Sequence, residues 1–380
     1  VIRGAVILLA VMFSIIAIIS VNLIVIFISI ETLSGLCFIL ILLSTKVKRR
    51  VAINYFLIHA FAGVLMIMAI MMHFAETGSF AVKKAPSILA SPKDIIMLTS
   101  LIINIAAFPF MNWYTKTYSR TDSFSLVILS VITTKTAFFI LWKIIPGGNI
   151  LFEIGFITLI IAVLLALITS NIIKFLLLTS VASMGFSVMA ISYNGFLITE
   201  GISTTINFEL IWYIASSIFS IGGFLVLYGF ITNTECTNNS FISVRNYFQN
   251  SGSSIHFVIP SIIFGLCLAS FPFTASFIAK TNITTFFVHD KLLYLVLKGS
   301  SIAFVMFAIK LIMPVCYSVE FFKLDKKGKR LTGILYTFVV FAMIINIVFA
   351  IISDLKYTFF TISVEFFTFI AYTCLAGVLV

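Results

Sequence analysis

Glu31, Lys135, Lys280 and Lys298 are the residues of this 380-residue chain whose type and setting could do chemistry, because each lies inside or beside a long apolar run. Placing a lysine midway along an apolar helix in a bilayer costs roughly 2.5–3.5 kcal/mol on insertion scales, which argues for a functional reason to keep it. Glu31 stands within IFISIETLSGL, with no basic residue for many positions on either side, and Lys135 stands within VITTKTAFFILWK. Lys280 follows Pro272 by eight residues, and Lys298 falls in the next apolar run. Lysines and carboxylates buried in apolar surroundings exchange protons more readily than exposed ones, and a series of them joined by water makes a proton relay.

Two prolines belong to the same constellation. Phe108-Pro109-Phe110 and Phe271-Pro272-Phe273 each interrupt an apolar run. Proline in mid-helix removes a backbone hydrogen bond, which a membrane tolerates where the backbone packs on protein or lines a hydrated cavity. Thr133, Thr134 and Thr136 around Lys135, and Thr274 and Ser276 before Lys280, supply hydroxyls near these sites.

Structural roles compete with these readings. Glu31 has Arg49 and Arg50 as candidate partners, Lys135 and Lys280 have snorkelling towards an interface, and for Lys298 and Lys310 the structural role is as good as the functional one. His59 and Glu209 read as packing or interfacial residues, and His73, His256 and His289 as solvated groups near loops.

The elements that must carry these residues are membrane helices. Of the chain, 61% is hydrophobic and 10% charged, against about 25% charged in soluble domains. The polar stretches near Glu76–Asp94, Asn233–Ser254 and Glu320–Arg330 are loop-sized, so a single membrane domain spans 1–380. Runs of about 20 apolar residues predict helices over Gly4–Ser20, Asn22–Thr45, Val51–Phe74, Asp94–Thr117, Ser123–Ile144 and Ile150–Ser170. Further helices are predicted over Ile172–Tyr193, Ile206–Ile231, Ile255–Phe287, His289–Ser318, Leu331–Ser353 and Lys356–Val380. The fold expected is an all-α polytopic membrane protein of about 12 transmembrane helices.

Charge gives the orientation. The net charge is +11, but the basic residues cluster in short loops beside apolar runs and read as topology signals, which argues against nucleic-acid binding. Fourteen of the 24 basic residues fall on the side of the N-terminus, six on the other side, and Lys135, Lys280, Lys298 and Lys310 inside helices. The N-terminus is therefore expected to face cytoplasm or matrix. Cys37, Cys236, Cys267, Cys316 and Cys374 are dispersed without a CxxC pair, so neither a zinc nor an iron-sulfur site is expected, and no Gly-rich phosphate loop occurs. The chain opens at Val1 without the pattern of a cleavable signal, a start consistent with missing upstream residues or with processing. The 42 phenylalanines read as a compositional bias of the source genome, with an organelle genome one candidate.

An internal repeat organises the whole. Lys135 follows Pro109 by 26 residues and Lys298 follows Pro272 by 26. The two breaks are five predicted helices apart, an odd number, so the second copy enters the membrane from the opposite side. Residues 4–144 and 150–318 then form two inverted five-helix repeats, each with a proline-broken helix, followed by C-terminal helices in 319–380.

These residues resemble the antiporter-like membrane subunits of respiratory complex I, most closely the subunit 2 branch. NLIVIFISIETLSGL is similar to the glutamate helix of that family, and KVKRRVAINYFLIHAFAGVLMIMAI to the helix that follows. AAFPFMNWYTKTY resembles its Pro-Phe-His-x-Trp motif, TTKTAFFILWK its Pro-Lys helix, IIKFLLLTSVASMGF its Lys-Arg-x-Leu-x-Tyr-Ser-Ser helix and FGLCLASFPFTASFIAK its Gly-x-Pro-Pro-x-x-Gly-Phe-x-x-Lys signature. The resemblance runs from about Asn22 to about Cys316. It implies that Glu31 is the family glutamate, Lys135 the central relay lysine and Lys280 the lysine of the second half-channel, with Lys298 a further candidate. A lysine at 280, where subunit 4 usually has an acidic residue, favours the subunit 2 branch.

The resemblance implies a proton-translocating part in NADH:ubiquinone reduction, with no cofactor or metal in this chain, since NADH, FMN, iron-sulfur clusters and ubiquinone are bound by other subunits. It implies other membrane-arm subunits and lipids as partners, and a multi-pass place in the mitochondrial inner membrane, ahead of a bacterial plasma membrane, with the N-terminus in the matrix. The alternatives are an autonomous cation/proton antiporter and a scaffold that no longer pumps. Departures bear on that choice. The family lysine five residues before the first proline is Asn104 here, and the histidines of two motifs are Met111 and Ser183; set against the family pattern, the first three helices are expected to lack a counterpart in this sequence and the last helix to be extra.

Overall fold

A computed structural model describes residues 2–44, 47, 49–82, 91–145, 148–197, 203–234, 239–251, 255–271, 274–285 and 291–316. The described residues are almost wholly helical, as lipid requires of a chain whose backbone polar groups must bond within each segment. In order the helices are α1 (Ile2–Ile19), α2 (Leu23–Leu42), α3 (Arg49–Thr77), α4 (Pro92–Ile105), α5 (Met111–Tyr118), α6 (Ser123–Ile144) and α7 (Asn149–Ile168). Then come α8 (Ile172–Leu197), α9 (Ser203–Thr234), α10 (Phe241–Ser251), α11 (Ile255–Leu268), α12 (Ala275–Thr285) and α13 (Lys291–Cys316). Among them eight are long and apolar enough to cross a membrane, which makes this a multi-pass membrane protein. The fourth and ninth predicted helices are each divided, into α4 and α5 and into α11 and α12. The predicted helices Leu331–Ser353 and Lys356–Val380, and Pro272, lie outside the described residues.

The chain forms two compact units, one of Val1–Ala162 with Val181–Ser203 and one of Val163–Ser180 with Thr204–Val380. In the first unit α1 packs on α2 and α6, and α3 on α2 and α4. Charged residues at the membrane edges fix these helices. Arg3 at the start of α1 pairs with Asp122, the residue before α6, at 3.1 Å, and also donates to the Leu43 carbonyl at the end of α2. At the opposite end, Lys143 in the last turn of α6 donates to the Ile18, Ile19 and Ser20 carbonyls that end α1. Those carbonyls have no intrahelical partner, and a cation there also meets the negative end of the helix dipole. The two helices thus begin on one side and end on the other.

An asparagine opens a helix in the same way in each unit. Asn22 caps α2 through a bond from the Ile24 N–H to its Oδ1, and pairs as an isolated antiparallel bridge with Ala81, beyond α3. Asn171 accepts from the Lys174 N–H at the start of α8, and bridges to Ser240, beyond α9.

The polar stretch Asn233–Ser254 is not all loop. It holds α10, with Ser240 Oγ accepting from the Ser243 N–H at its start. Val244 and Phe248 are buried, and Phe241 meets Phe175 edge-on at 5.3 Å. The spacing 241, 244, 248 is that of one helical face, a signal hidden by the polar residues between.

Residues 175–192 of α8 are buried throughout, and small residues let backbones approach there. A Cβ placed on Gly185 would stand 2.7 Å from the Leu159 nitrogen and 2.9 Å from the Gly155 carbonyl oxygen; one on Gly155 would stand 2.6 Å from the Met189 nitrogen. The obstacles are backbone atoms, which cannot rotate away, so α7 and α8 cross glycine to glycine. Gly185→Ala is expected to destabilise the protein by about 1–3 kcal/mol, the usual cost of overpacking, read as a lowered thermal unfolding midpoint in detergent.

Candidate functional site

The first helix break is closed by hydrogen bonds from both of its halves. Ala106 takes the left-handed conformation at φ 61°, and the Ala107 N–H reaches back to the Ile102 carbonyl at 3.2 Å, which ends α4 in the manner of a Schellman cap. The Phe108–Pro109 peptide is cis, and the Phe110 N–H closes a turn onto the Ala107 carbonyl at 2.7 Å. From α5 the Trp113 indole N–H donates to the Ile103 carbonyl at 3.0 Å, and the Phe108 N–H finds Thr158 Oγ1 at 2.9 Å.

The second break uses the same devices with other residues. Ser270 is left-handed at φ 54°, the Phe271 N–H bonds the Leu266 carbonyl at 2.9 Å, and Ser276 Oγ of α12 donates to the Cys267 carbonyl at 2.6 Å. In both breaks the carbonyl three residues before the left-handed residue is satisfied by a side chain from the far half-helix. The left-handed residue precedes the proline by three positions in the first and by two in the second.

Buried polar side chains gather beside the first break. Glu31 on α2 is half-buried against Gly63 of α3, where a Cβ would lie 2.3 Å from its Oε1. A side chain at 63 would push the Glu31 carboxyl out of that seat. Glu31 makes no ion pair among the described residues, and Arg49 and Arg50 are exposed at the start of α3. One turn before Gly63, His59 is 5% exposed, and its Nδ1 lies 2.9 Å from Asn104 Oδ1 on α4. Asn104 Nδ2 donates to the Ser100 carbonyl at 3.0 Å. His59 and Asn104 share a cavity of about 20 Å³ with Ser34 and Tyr55 and with Thr133 and Thr136 of α6, enough for a water, which needs roughly 10–15 Å³.

Lys135 belongs to the same stretch of α6. It is 5% exposed, and its Nζ donates to the Ser130 carbonyl at 3.3 Å. The neighbouring Thr133 hydroxyl lies 3.1 Å from the Tyr118 hydroxyl at the end of α5.

In the second unit Lys280 of α12 is 3% exposed, with Nζ 4.5 Å from the centre of the Phe304 ring on α13, a cation–π geometry. Lys298 is half-buried, 5.6 Å from the ring of Tyr294. Lys310 lies over Phe175 and Phe241 at 4.8 and 4.9 Å. Glu209 of α9 is buried and accepts a hydrogen bond from Asn282 Nδ2 at 2.5 Å, two residues beyond Lys280.

The structure thus puts Glu31, Asn104 and Lys135 in one packed unit and Lys280 with Lys298 in the other. His59 and Glu209, read from sequence as packing or interfacial residues, are buried and hydrogen-bonded beside the candidate site residues. The signal for both was an ionisable residue within an apolar run, the same signal that marked Glu31. Among the described residues no group of three His, Cys, Asp or Glu side chains comes together as a metal site would need.

Fold and site together define a polytopic helical membrane protein with broken helices and ionisable side chains in its interior. The chain belongs to the family described as NADH:quinone oxidoreductase/Mrp antiporter, transmembrane, which matches residues 20–310. It is 23% identical over 286 residues to NADH-quinone oxidoreductase subunit N of Beutenbergia cavernae, a match covering 68% of this chain and 52% of the relative. To NADH-ubiquinone oxidoreductase chain 2 of Natalus stramineus it is 28% identical over 145 residues, 38% of this chain and 41% of that one. The chain spans about half the length of the curated relatives it matches. A chain of respiratory complex I from Thermus thermophilus shares the fold, with a TM-score of 0.70 at 16% identity over 89% of this chain and 76% of that one.

Trp113→Phe removes the indole donor to Ile103 while keeping an aromatic ring. A loss of about 1 kcal/mol, typical of one hydrogen bond, is expected in thermal unfolding of the detergent-solubilised protein.

Proposed function

We propose that this chain is an antiporter-like membrane-arm subunit of respiratory complex I, of the branch called subunit 2 or N, contributing to proton translocation coupled to electron transfer from NADH to ubiquinone. The observation that carries the reading is the burial of Lys135 and Lys280, 5% and 3% exposed, on helices that pack against or follow a break. An ionisable group inside a membrane protein marks an ion pathway, and irregular backbone at membrane depth lines such pathways. In this reading Glu31, Lys135 and Lys280, with Lys298 beyond, change protonation in response to quinone chemistry elsewhere in the assembly. The redox groups, NADH, FMN, iron-sulfur clusters and ubiquinone, belong to other subunits, and neighbouring membrane-arm subunits and lipids cover the exposed apolar faces of helices such as α1.

The same reading makes the chain a protein of about 12 helices with inverted repeats. The matching caps at Ala106 and Ser270, and the matching asparagine bridges at Asn22 and Asn171, support that symmetry. The excess of basic residues on the N-terminal side supports a matrix-facing N-terminus in the mitochondrial inner membrane.

A scaffold that no longer pumps is the second reading, and Asn104 favours it, since an amide cannot carry a proton as a lysine does. An autonomous cation/proton antiporter would purify without a larger assembly.

The variant Lys135→Met separates the first two readings. In membranes with the assembled complex, protons moved per quinone reduced should fall to roughly half or less, because an apolar side chain cannot hold the relay proton. NADH oxidation by an artificial acceptor should persist. Unchanged pumping in the assembled variant would favour the scaffold.

A further inference from the structure

Asn104 is not a gap in the line of buried polar groups, because its amide is fixed by its two partners. The Ser100 carbonyl can only accept, so Nδ2 is the end that donates to it at 3.0 Å, and Oδ1 is the end that meets His59 Nδ1 at 2.9 Å. An amide oxygen can only accept in turn, so Nδ1 carries the hydrogen and a neutral ring presents its lone pair at Nε2. That atom is buried and has no hydrogen-bond partner among the described residues.

The ring of His59 borders a small cavity and is held by aromatic neighbours. His59 lines the cavity of about 20 Å³ together with the apolar Ile30, Leu33 and Ala137 and the hydroxyl-bearing Ser34, Thr133 and Thr136, a space with the volume for a water; the three hydroxyls donate to backbone carbonyls of their own helices, which leaves their oxygens as acceptors. Its ring is clamped by Tyr55 at 4.2 Å and by Trp113, nearly perpendicular to it, at 4.6 Å. The ionisable groups around it include Tyr55 on its own helix, Tyr118 behind Tyr55 at 6.2 Å, the buried Cys37 of α2 beside Tyr55, and Glu31 from α2, seated against Gly63 one turn along α3. When Nε2 gains a proton, Nδ1 still donates to Asn104, so the contact survives both charge states.

We propose that His59 is the proton-carrying group of the first unit between Glu31 and Lys135, held by Asn104 and exchanging through Nε2 with water in the adjoining cavity. The assignment rests on the relay reading given above. In each transfer a proton from a cavity water forms the Nε2–H bond, and its return to the next water breaks that bond. The mobile cation thereby sits on α3, and its α4 neighbour is the neutral group that orients it.

The test uses the assembled complex in sealed membranes, with protons moved per quinone reduced as the readout and NADH oxidation by an artificial acceptor as the control. His59→Gln, and His59→Met as a second neutral variant, should lower coupling about as far as Lys135→Met while the control activity stays. Adding Asn104→Lys to the neutral variant returns a cation to the hydrogen-bond partner and should restore coupling. Full coupling in His59→Gln with loss in Lys135→Met overturns the role of His59 and leaves the relay. Full coupling in both overturns the relay and this assignment with it. Loss at His59 that Asn104→Lys does not repair shows a structural role only, which also overturns the assignment. If neither neutral variant assembles, Asn104→Leu decides: without the acceptor that fixes the ring, coupling should drop, and unchanged coupling refutes the proposal.

Discussion

Everything functional in this protein depends on one constraint: lipid offers no hydrogen bonds, so backbone groups freed by breaking a helix must be satisfied by the protein itself. At each break the chain meets it twice, with a left-handed residue whose successor bonds back into the helix and with a side chain from the far half-helix. Trp113 and Ser276 differ in chemistry, yet each donates to the carbonyl three residues before the left-handed position. With the backbone satisfied locally, the adjoining space can hold other polar groups. Asn104 lies two residues before Ala106, and Lys280 ten residues after Ser270.

Close packing is the second requirement, and glycine provides it in two ways. At Gly155 and Gly185 the missing side chains let two helix backbones touch, a contact that gains dispersion energy where no hydrophobic force draws helices together. At Gly63 the missing side chain makes room for the Glu31 carboxylate. The first use builds the scaffold and the second seats a carboxyl group. A larger residue at 63 would meet the end of a flexible side chain, whereas one at 185 would meet backbone.

Much of this was legible in the sequence, because membrane helices announce themselves by length and polarity. The runs behind α1, α2, α3, α6, α7 and α8 are apolar over most of their length, and the two Phe-Pro-Phe triplets mark the breaks directly. The helix α10 was not legible, since its inward face is only Phe241, Val244 and Phe248 in a stretch rich in polar residues. The candidate site was half legible. Glu31, Lys135 and Lys280 stand out because each is a lone charge in an apolar run, and Asn104 stands out by contrast with a family pattern. The partnership of His59 with Asn104 joins residues 45 apart in sequence, and nothing in local spacing encodes the packing of α3 on α4 that brings them together.

An asparagine amide stands next to an ionisable group in both units, Asn104 with His59 and Asn282 with Glu209. The choice has a physical logic. A lysine or carboxylate in such a place would add a charge to desolvate and would tie the protonation of its neighbour to its own. An amide adds no charge, and it offers both a donor and an acceptor. It can therefore hold a histidine in either charge state through the same oxygen, and a carboxylate through its nitrogen. In each unit the amide thus fixes the orientation of its ionisable neighbour without adding a charge of its own.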